Sequence, residues 1–298
     1  MTVDARRVAF CGLGQLGGPV CDVLLRSPHR VTVYDPRPDA VAPRVAAGAC
    51  AASSPAEAAR DADVSIVFVR DDEQAIDAVA GPHGLLAGAP RGSVVVLHST
   101  VAPATVRTLD LACRAAHVGF VDAGVSRGGE RSPGSLYAMC GGDAELIDAV
   151  RPVLSVYCTD IVRFGDTGAG MQAKLVRNAI RYAVWAVQHE GFALAEAAGL
   201  DLRAMEHLYR ATFGTVSDDD MVLTRGTSVP LSPDDTTADP THLAFLRDIV
   251  LLGWKDLDDA LYLAHEIGHD VPMIRHTRGA LGPAFGIALA DTAAGESN

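Results

Sequence analysis

Lys174 and Asn178 are the pair in this chain best equipped to act on an oxygen-bearing carbon. A lysine can pass a proton to or from a hydroxyl or carbonyl oxygen, and an amide can hold that oxygen in place. The two sit four residues apart in a run from about Ala169 to Ala198 that is rich in Ala, Leu, Val and Glu and free of proline. Such a run predicts one long helix, opened by the turn at Gly165, Gly168 and Gly170. The spacing puts both side chains on one helix face near its start. A free lysine titrates at about 10.4, too high for efficient base work near neutrality; partial burial or a neighbouring cation would lower it. Taken alone, the pair also fits a solvated lysine beside an exposed amide.

A second constellation binds rather than reacts. Gly12-x-Gly14-x-x-Gly17 follows the apolar run Arg7–Cys11 and opens a helix-compatible segment. In that context Gly12 permits a tight turn, Gly14 lets backbone approach a pyrophosphate, and Gly17 allows the helix to pack on the strand. Leu13, Gln15 and Leu16 complete the loop, whose N–H groups and helix N-terminus favour phosphate. The next strand, Arg30–Tyr34, ends in Asp35, close to the roughly 20-residue offset at which an acid meets the adenosine ribose hydroxyls. A carboxylate there repels a 2′-phosphate, which favours NAD. Arg37, two residues on, could accept that phosphate, which keeps NADP open.

A third motif points to a different class. His265-Glu266-Ile-Gly-His269 matches H-E-x-x-H, in which two histidines bind zinc and the glutamate activates water. Gly268 inside the motif and Pro272 after it predict that the helix ends near Gly268, so His269 leaves the face of His265. Pro272 and Arg275 occupy the places of the glycine and third histidine of the extended motif, and no metal is assigned. The acids Asp218–Asp220, Asp234 and Asp235 lack calcium-loop spacing. They fall in a polar stretch, 214–240, that reads as a long loop, either a lid or simply mobile.

The rest of the chain must position these groups. Its 298 residues, 49% hydrophobic and 21% charged, suffice for two ordinary domains. The net charge of −12 argues against nucleic acid or an anionic membrane as partner, while allowing a local basic pocket. Six cysteines without a C-x-x-C pair, no visible signal peptide and no bilayer-length apolar run predict a reduced, cytoplasmic protein. Strand patterns at Arg7–Cys11, Arg30–Tyr34, Val64–Val69, Ser93–Leu97 and Gly119–Asp122 alternate with helical ones. That order predicts an α/β, Rossmann-type, doubly wound and mostly parallel sheet. Beyond Gly168 only helices are expected: the long interdomain helix, then Asp201–Phe213, His242–Ile267 and Pro272–Ala284. The expected domains are a dinucleotide-binding 1–165 and an all-α 166–298.

Four segments together resemble the β-hydroxyacid dehydrogenase family, which includes 3-hydroxyisobutyrate dehydrogenases and, more distantly, 6-phosphogluconate dehydrogenase. They are Gly12–Pro19, Asp122–Gly129 continuing to Met139–Gly142, Gly165–Asn178 and Lys255–Leu257, in family order across most of the chain. The resemblance implies an NAD(P)-dependent oxidoreductase acting on a small β-hydroxyacid or semialdehyde. Lys174 would be its general acid–base and Asn178 would orient the substrate. Ser126, Gly128 and Lys255 would bind substrate, anionic in class, with Lys255 also near the nicotinamide; Val69, Arg70 and Thr100 would contact the cofactor. Arg127 adds a forked cation to this segment, which binds a substrate anion if it points into the cleft and is an ordinary surface arginine if it points outward. The resemblance further implies a homodimer or homotetramer with helical domains packed together. Three departures stand out: glycine at 124 where the family usually has proline, Arg127 where it has glycine, and Arg177 where it often has Asn or His. The alternatives are an imine reductase on the same fold, which commonly carries Asp or Tyr in place of Lys174, the zinc hydrolase above, and a cofactor-binding protein without chemistry. His98 reads as a loop histidine touching the cofactor or nothing.

Overall fold

In the computed structural model, which describes residues 5–127, 134–213 and 240–285, the chain divides into two compact units, Met1–Lys174 and Leu175–Asn298. The first is built on eight strands: β1 (Arg7–Cys11), β2 (Arg30–Tyr34), β3 (Cys50–Ala51), β4 (Val64–Val67), β5 (Val94–Leu97), β6 (Gly119–Arg127), β7 (Leu136–Gly141) and β8 (Cys158–Gly165). They form one sheet in the order β3-β2-β1-β4-β5-β6-β7-β8. The first six are parallel, β7 runs antiparallel to β6, and β8 is parallel to β7. The 3-2-1-4-5-6 order is that of a dinucleotide-binding fold, whose ligands sit beyond the carboxyl ends of the strands at the β1/β4 crossover.

Strand alternation divides the apolar residues between two faces. Val8 and Phe10, Ile66, Val96, Val121 and Val125 bury against α1 (Gly17–Leu24) and α6 (Ala144–Leu154), with α2 (Pro38–Ala46) partly buried beside them. Ala9, Cys11, Val67, Val95, Leu97 and Phe120 bury against α3 (Pro55–Ala59), α4 (Asp72–Ala80) and α5 (Pro103–Ala115), joined by Met171 from the start of α7 (Ala169–Ala197). Both faces are covered, so the central strands read as continuous apolar runs, as a parallel sheet requires.

Three strands were not expected, the first being the two-residue β3, which pairs with β2. β7 lies in a segment that reads as a binding loop, and β8 alternates poorly because most of its residues are exposed. β6 also runs five residues past the expected end at Asp122, because pairing with β7 continues to Arg127. Pairing, not local hydrophobicity, makes these strands.

In the second unit α7 continues from Leu175, followed by α8 (Leu202–Phe213), α9 (Pro240–Glu266) and α10 (Pro272–Ala284). Leu175, Ala179, Leu246, Val250, Leu257, Leu281 and Phe285 form its main core, and Phe192 packs with Leu202, Met205 and Tyr209 in a smaller one. The helices fall within two residues of their expected bounds. Among the described residues no helix is long and apolar enough to cross a membrane. The stretch read as a lid or mobile loop lies outside the described residues, apart from Pro240.

Candidate active site

The turn after β1 is fixed by sterics. Gly12 has φ +94°, a conformation that costs other residues dearly, and a Cβ there would run into the Phe68 carbonyl oxygen. Gly17 packs equally tightly against the Gly12 carbonyl, whereas Gly14 faces open space. Helix α1 begins after Leu16 with no side chain capping it; within its first turn Gly18 gives its N–H to the Gly14 carbonyl at 2.9 Å and Pro19 has none to give. A turn pressed onto β4 behind, open at Gly14 and with an uncapped helix start suits a pyrophosphate. Leu13 is buried and Gln15 exposed within this loop.

Asp35 follows the last residue of β2 and is buried. Its carboxylate accepts the Leu13 N–H at 2.7 Å and the Arg37 N–H at 3.0 Å. The Arg37 guanidinium also grips it, Nε to Oδ1 at 2.9 Å and Nη2 to Oδ2 at 3.1 Å. Burial opposes the charge on Asp35, but the Arg37 side chain, followed by the two N–H donors, outweighs it and holds the carboxyl below its usual range. The two residues that pull cofactor choice in opposite directions are thus locked together. Val69 donates its N–H to Ser99 Oγ at 2.8 Å, tying the ends of β4 and β5, while Arg70 is exposed and Thr100 half-buried.

His98 is not a loop ligand. It is buried, with Nδ1 2.6 Å from the Ala123 carbonyl oxygen and Nε2 2.9 Å from the Tyr157 hydroxyl. A carbonyl only accepts, so Nδ1 carries the proton and Nε2 accepts from Tyr157. Burial pushes its pKa down to about 4, with the Ala123 bond opposing, so the ring is neutral across physiological pH. It is a cross-tie beneath the sheet end.

The start of the lysine helix hangs on a buried carboxylate. Asp122 of β6 is fully buried and accepts the Gly168 and Met171 N–H groups, each at 2.7 Å. Burial raises its pKa, and these backbone bonds oppose the rise. Asp122 therefore satisfies N–H groups at the N-terminus of α7 that a helix leaves orphaned. Two residues along the same strand face, a Cβ on Gly124 would lie 2.6 Å from Lys174 Cβ and 2.9 Å from Lys174 Cγ. The glycine that replaces the usual proline is what lets the lysine stem rest on β6.

The same alternation separates the two predicted substrate residues on β6. Ser126 shares the face of Asp122 and Gly124, whereas Arg127 shares that of Ala123 and Val125, and is exposed at the strand end. Gly128 lies outside the described residues. The structure thus brings Ser126, Gly124 and Lys174 to one face of β6 and sends Arg127 to the other.

In the second unit Asn178 is buried within a polar chain. Arg177 Nη1 donates to its Oδ1 at 3.0 Å, and its Nδ2 donates to Asp256 Oδ2 at 2.7 Å. Tyr182 OH donates to the same Asp256 oxygen at 3.2 Å, and Lys255 Nζ lies 3.1 Å from Asp256 Oδ1 and 3.6 Å from Asp259 Oδ2. Lys255 and Asp256 are therefore not the solvated pair their adjacency suggests: Asp256 is only 5% exposed. Asp122, Tyr182 and Asp256 were missed as site residues. A lone acid in the apolar run Phe120–Val125 was the one available signal for Asp122.

The H-E-x-x-H motif does not assemble. Helix α9 ends at Glu266, Gly268 has φ +66°, and His269 folds back to give its N–H to the Ala264 carbonyl at 2.8 Å. This is a helix stop, which leaves His265 and His269 off a common face. Among the described residues no group of three metal-binding side chains comes together.

A parallel sheet of this order, with an uncapped glycine turn and an acid ending β2, defines a dinucleotide-binding class of protein. Residues 7–165 match the family described as the NAD binding domain of 6-phosphogluconate dehydrogenase. The chain belongs to the β-hydroxyacid dehydrogenase family, the 3-hydroxyisobutyrate dehydrogenase-like relatives of that enzyme, and is an NAD(P)-dependent enzyme acting on CH–OH groups. It is 33% identical to an uncharacterized oxidoreductase of Mycobacterium tuberculosis over 97% of this chain and 96% of the relative. An NAD-dependent L-serine dehydrogenase of Pseudomonas aeruginosa is 33% identical over 70% of each chain. Among solved structures, Mycobacterium tuberculosis 3-hydroxyisobutyrate dehydrogenase with L-serine aligns over 92% of each chain, at 26% identity and a TM-score of 0.73.

Proposed function

We propose that the protein interconverts a small β-hydroxyacid and its semialdehyde or ketone, with Lys174 as general acid–base. The observation that carries this reading is the seating of Lys174. Its helix is pinned by Asp122 and its stem lies on β6 at Gly124, on the face that also bears Ser126. A solvated surface lysine would have no need of either device.

A nicotinamide cofactor held at the Gly12–Gly17 turn would supply the hydride acceptor for the hydroxyl-bearing carbon in the oxidative direction and the hydride donor in reduction. Lys174 Nζ accepts the hydroxyl proton as the carbonyl forms, and returns it in reduction. Asn178 sits one helical turn on, its amide orientation fixed by Arg177 and Asp256, and orients the reacting oxygen. Ser126 and the backbone after it receive the substrate carboxylate. Lys255, held by Asp256 and Asp259, supplies positive charge near substrate and nicotinamide. L-Serine is itself a β-hydroxyacid, and it belongs among the candidates. The lysine distinguishes this reading from that of an imine reductase.

NAD is the proposed cofactor, with Gly12, Leu13, Gly14, Gln15, Leu16 and Gly17 holding its pyrophosphate and Asp35 its ribose. A homo-oligomer is also part of the reading, because Val176, Ile180, Val184, Val187 and Leu194 leave an exposed apolar stripe along α7. Light scattering that finds only monomer would remove that part. The central reading is tested by following reduced nicotinamide across a panel of small β-hydroxyacids, with Lys174→Ala alongside; no turnover of any member would overturn it.

A further inference from the structure

Arg177 is a half-buried cation to which the proposed reaction gives no task beyond fixing the Asn178 amide. Its guanidinium pays for that position twice. Burial, and then repulsion from Arg181 one helical turn on, both push its pKa below the usual value, though an arginine stays protonated. Such a cation is ordinarily matched by a carboxylate. Among the described residues none lies within ion-pairing distance, and its hydrogen bond in the protein is the one to Asn178 Oδ1, a neutral acceptor. The nearby acids are engaged elsewhere: Asp256 takes Asn178, Tyr182 and Lys255, and Asp259 pairs with Lys255. Arg181 is occupied differently, its guanidinium carbon lying 4.4 Å from the centre of the Trp185 ring. Among the described residues only one of the five N–H donors on Arg177 has a partner, so a fork remains for an anion.

We propose that Arg177 is a specificity-determining residue that binds a second anionic group of the substrate, a carboxylate, sulfonate or phosphate remote from the reacting carbon. This rests on the reading of Asn178 as the substrate-orienting amide. An anion held on Arg177 lies directly beside that amide. The bond from Nη1 to Oδ1 then serves two ends: it fixes the amide, and it aims the guanidinium beside the group the amide orients. A lysine could supply the charge at this position but not the planar fork that a carboxylate, sulfonate or phosphate matches. The preferred substrates are accordingly hydroxyacids with two anionic groups rather than one.

The test compares kcat/KM for β-hydroxyacids matched in length, ending in methyl, carboxylate, sulfonate or phosphate, in the wild type, Arg177→Gln and Arg177→Lys. A charge-assisted contact predicts a roughly tenfold to hundredfold wild-type preference for a dianionic member, expressed mainly in KM. Arg177→Gln should lose that preference, and Arg177→Lys should keep part of it. Loss of the Asn178 bond affects every substrate alike, so the ratio isolates the anion contact. The rank among carboxylate, sulfonate and phosphate identifies the group. A wild-type preference for the methyl-ended member, or an equal preference in wild type and Arg177→Gln, overturns the inference. So does a lowered melting temperature in Arg177→Gln with preference unchanged, which would make the residue structural. If no hydroxyacid is turned over, the functional reading fails first. Inorganic sulfate and phosphate then decide the subsite: they should raise the melting temperature of the wild type more than that of Arg177→Gln, and equal shifts in the two would overturn it.

Discussion

The glycine turn of the first unit and the polar chain around Asn178 in the second do comparable jobs by opposite means. The turn is made of backbone. Gly12 is required because a Cβ would strike the Phe68 carbonyl, and what the turn offers a ligand is main-chain N–H and open space at Gly14. The chain Arg177–Asn178–Asp256–Lys255 is made of side chains from two helices 78 residues apart in sequence, each oriented by the next. A backbone device tolerates change everywhere except at its glycines. A side-chain network transmits change, because removing one member leaves a buried neighbour unsatisfied. We place recognition of the common cofactor on the first kind of device and substrate choice on the second.

Asp122 joins the two styles, a side chain that holds backbone, and its loss should have the largest effect of the structural changes. Asp122→Asn keeps the size but offers one fewer acceptor and no charge to the Gly168 and Met171 N–H groups. Charge-assisted bonds of this kind are worth about 1.5–3 kcal/mol each. Melting should fall markedly, and kcat should fall while cofactor affinity holds; unchanged kcat in a folded variant would show that the helix start does not set Lys174.

His98 gives the next effect, in pH. Its folded pKa of about 4 lies below the ordinary 6.5, so its contribution to stability is complete above about pH 6.5 and is lost as pH falls toward 4. The shift amounts to roughly 3 kcal/mol at full extent. His98→Gln, which can keep a donor and an acceptor but does not titrate, should flatten the melting curve over that window. An unchanged slope would assign the acid sensitivity to other groups.

Cofactor choice should respond more modestly. Wild type should use NAD with the higher kcat/KM, and Asp35→Ala should release Arg37 to a 2′-phosphate and narrow the gap by about tenfold. A wild-type preference for NADP would mean that the Asp35–Arg37 lock opens on binding. The smallest effect belongs to Arg127→Gly, because alternation turns that side chain away from the face of Gly124 and Lys174. Rates on anionic and neutral substrates should stay within about twofold, as for an ordinary surface change; a selective loss on the anionic one would return Arg127 to the site.

Much of the backbone half of this comparison was legible in the sequence. The strand–turn–helix at Gly12, the acid ending β2 and the helix from Ala169 follow from local patterns, since steric and helical periodicities act over a few residues. β7 and β8 were illegible because their identity comes from pairing across the sheet. Asp122 and Asp256 were illegible as site residues because their importance lies in partners 46 and 78 positions away. Arg127 was undecided until β6 proved to continue through it, which fixed the side its chain faces.

The most direct test of the central claim is single-turnover and steady-state kinetics of Lys174→Ala on the best β-hydroxyacid, beside direct measurement of NAD affinity. With Lys174 as general acid–base, kcat should be lower by roughly 10²–10⁴, the usual contribution of such a group, with NAD bound as tightly as by the wild type. Near-normal turnover in that variant would contradict it and remove Lys174 from the chemistry.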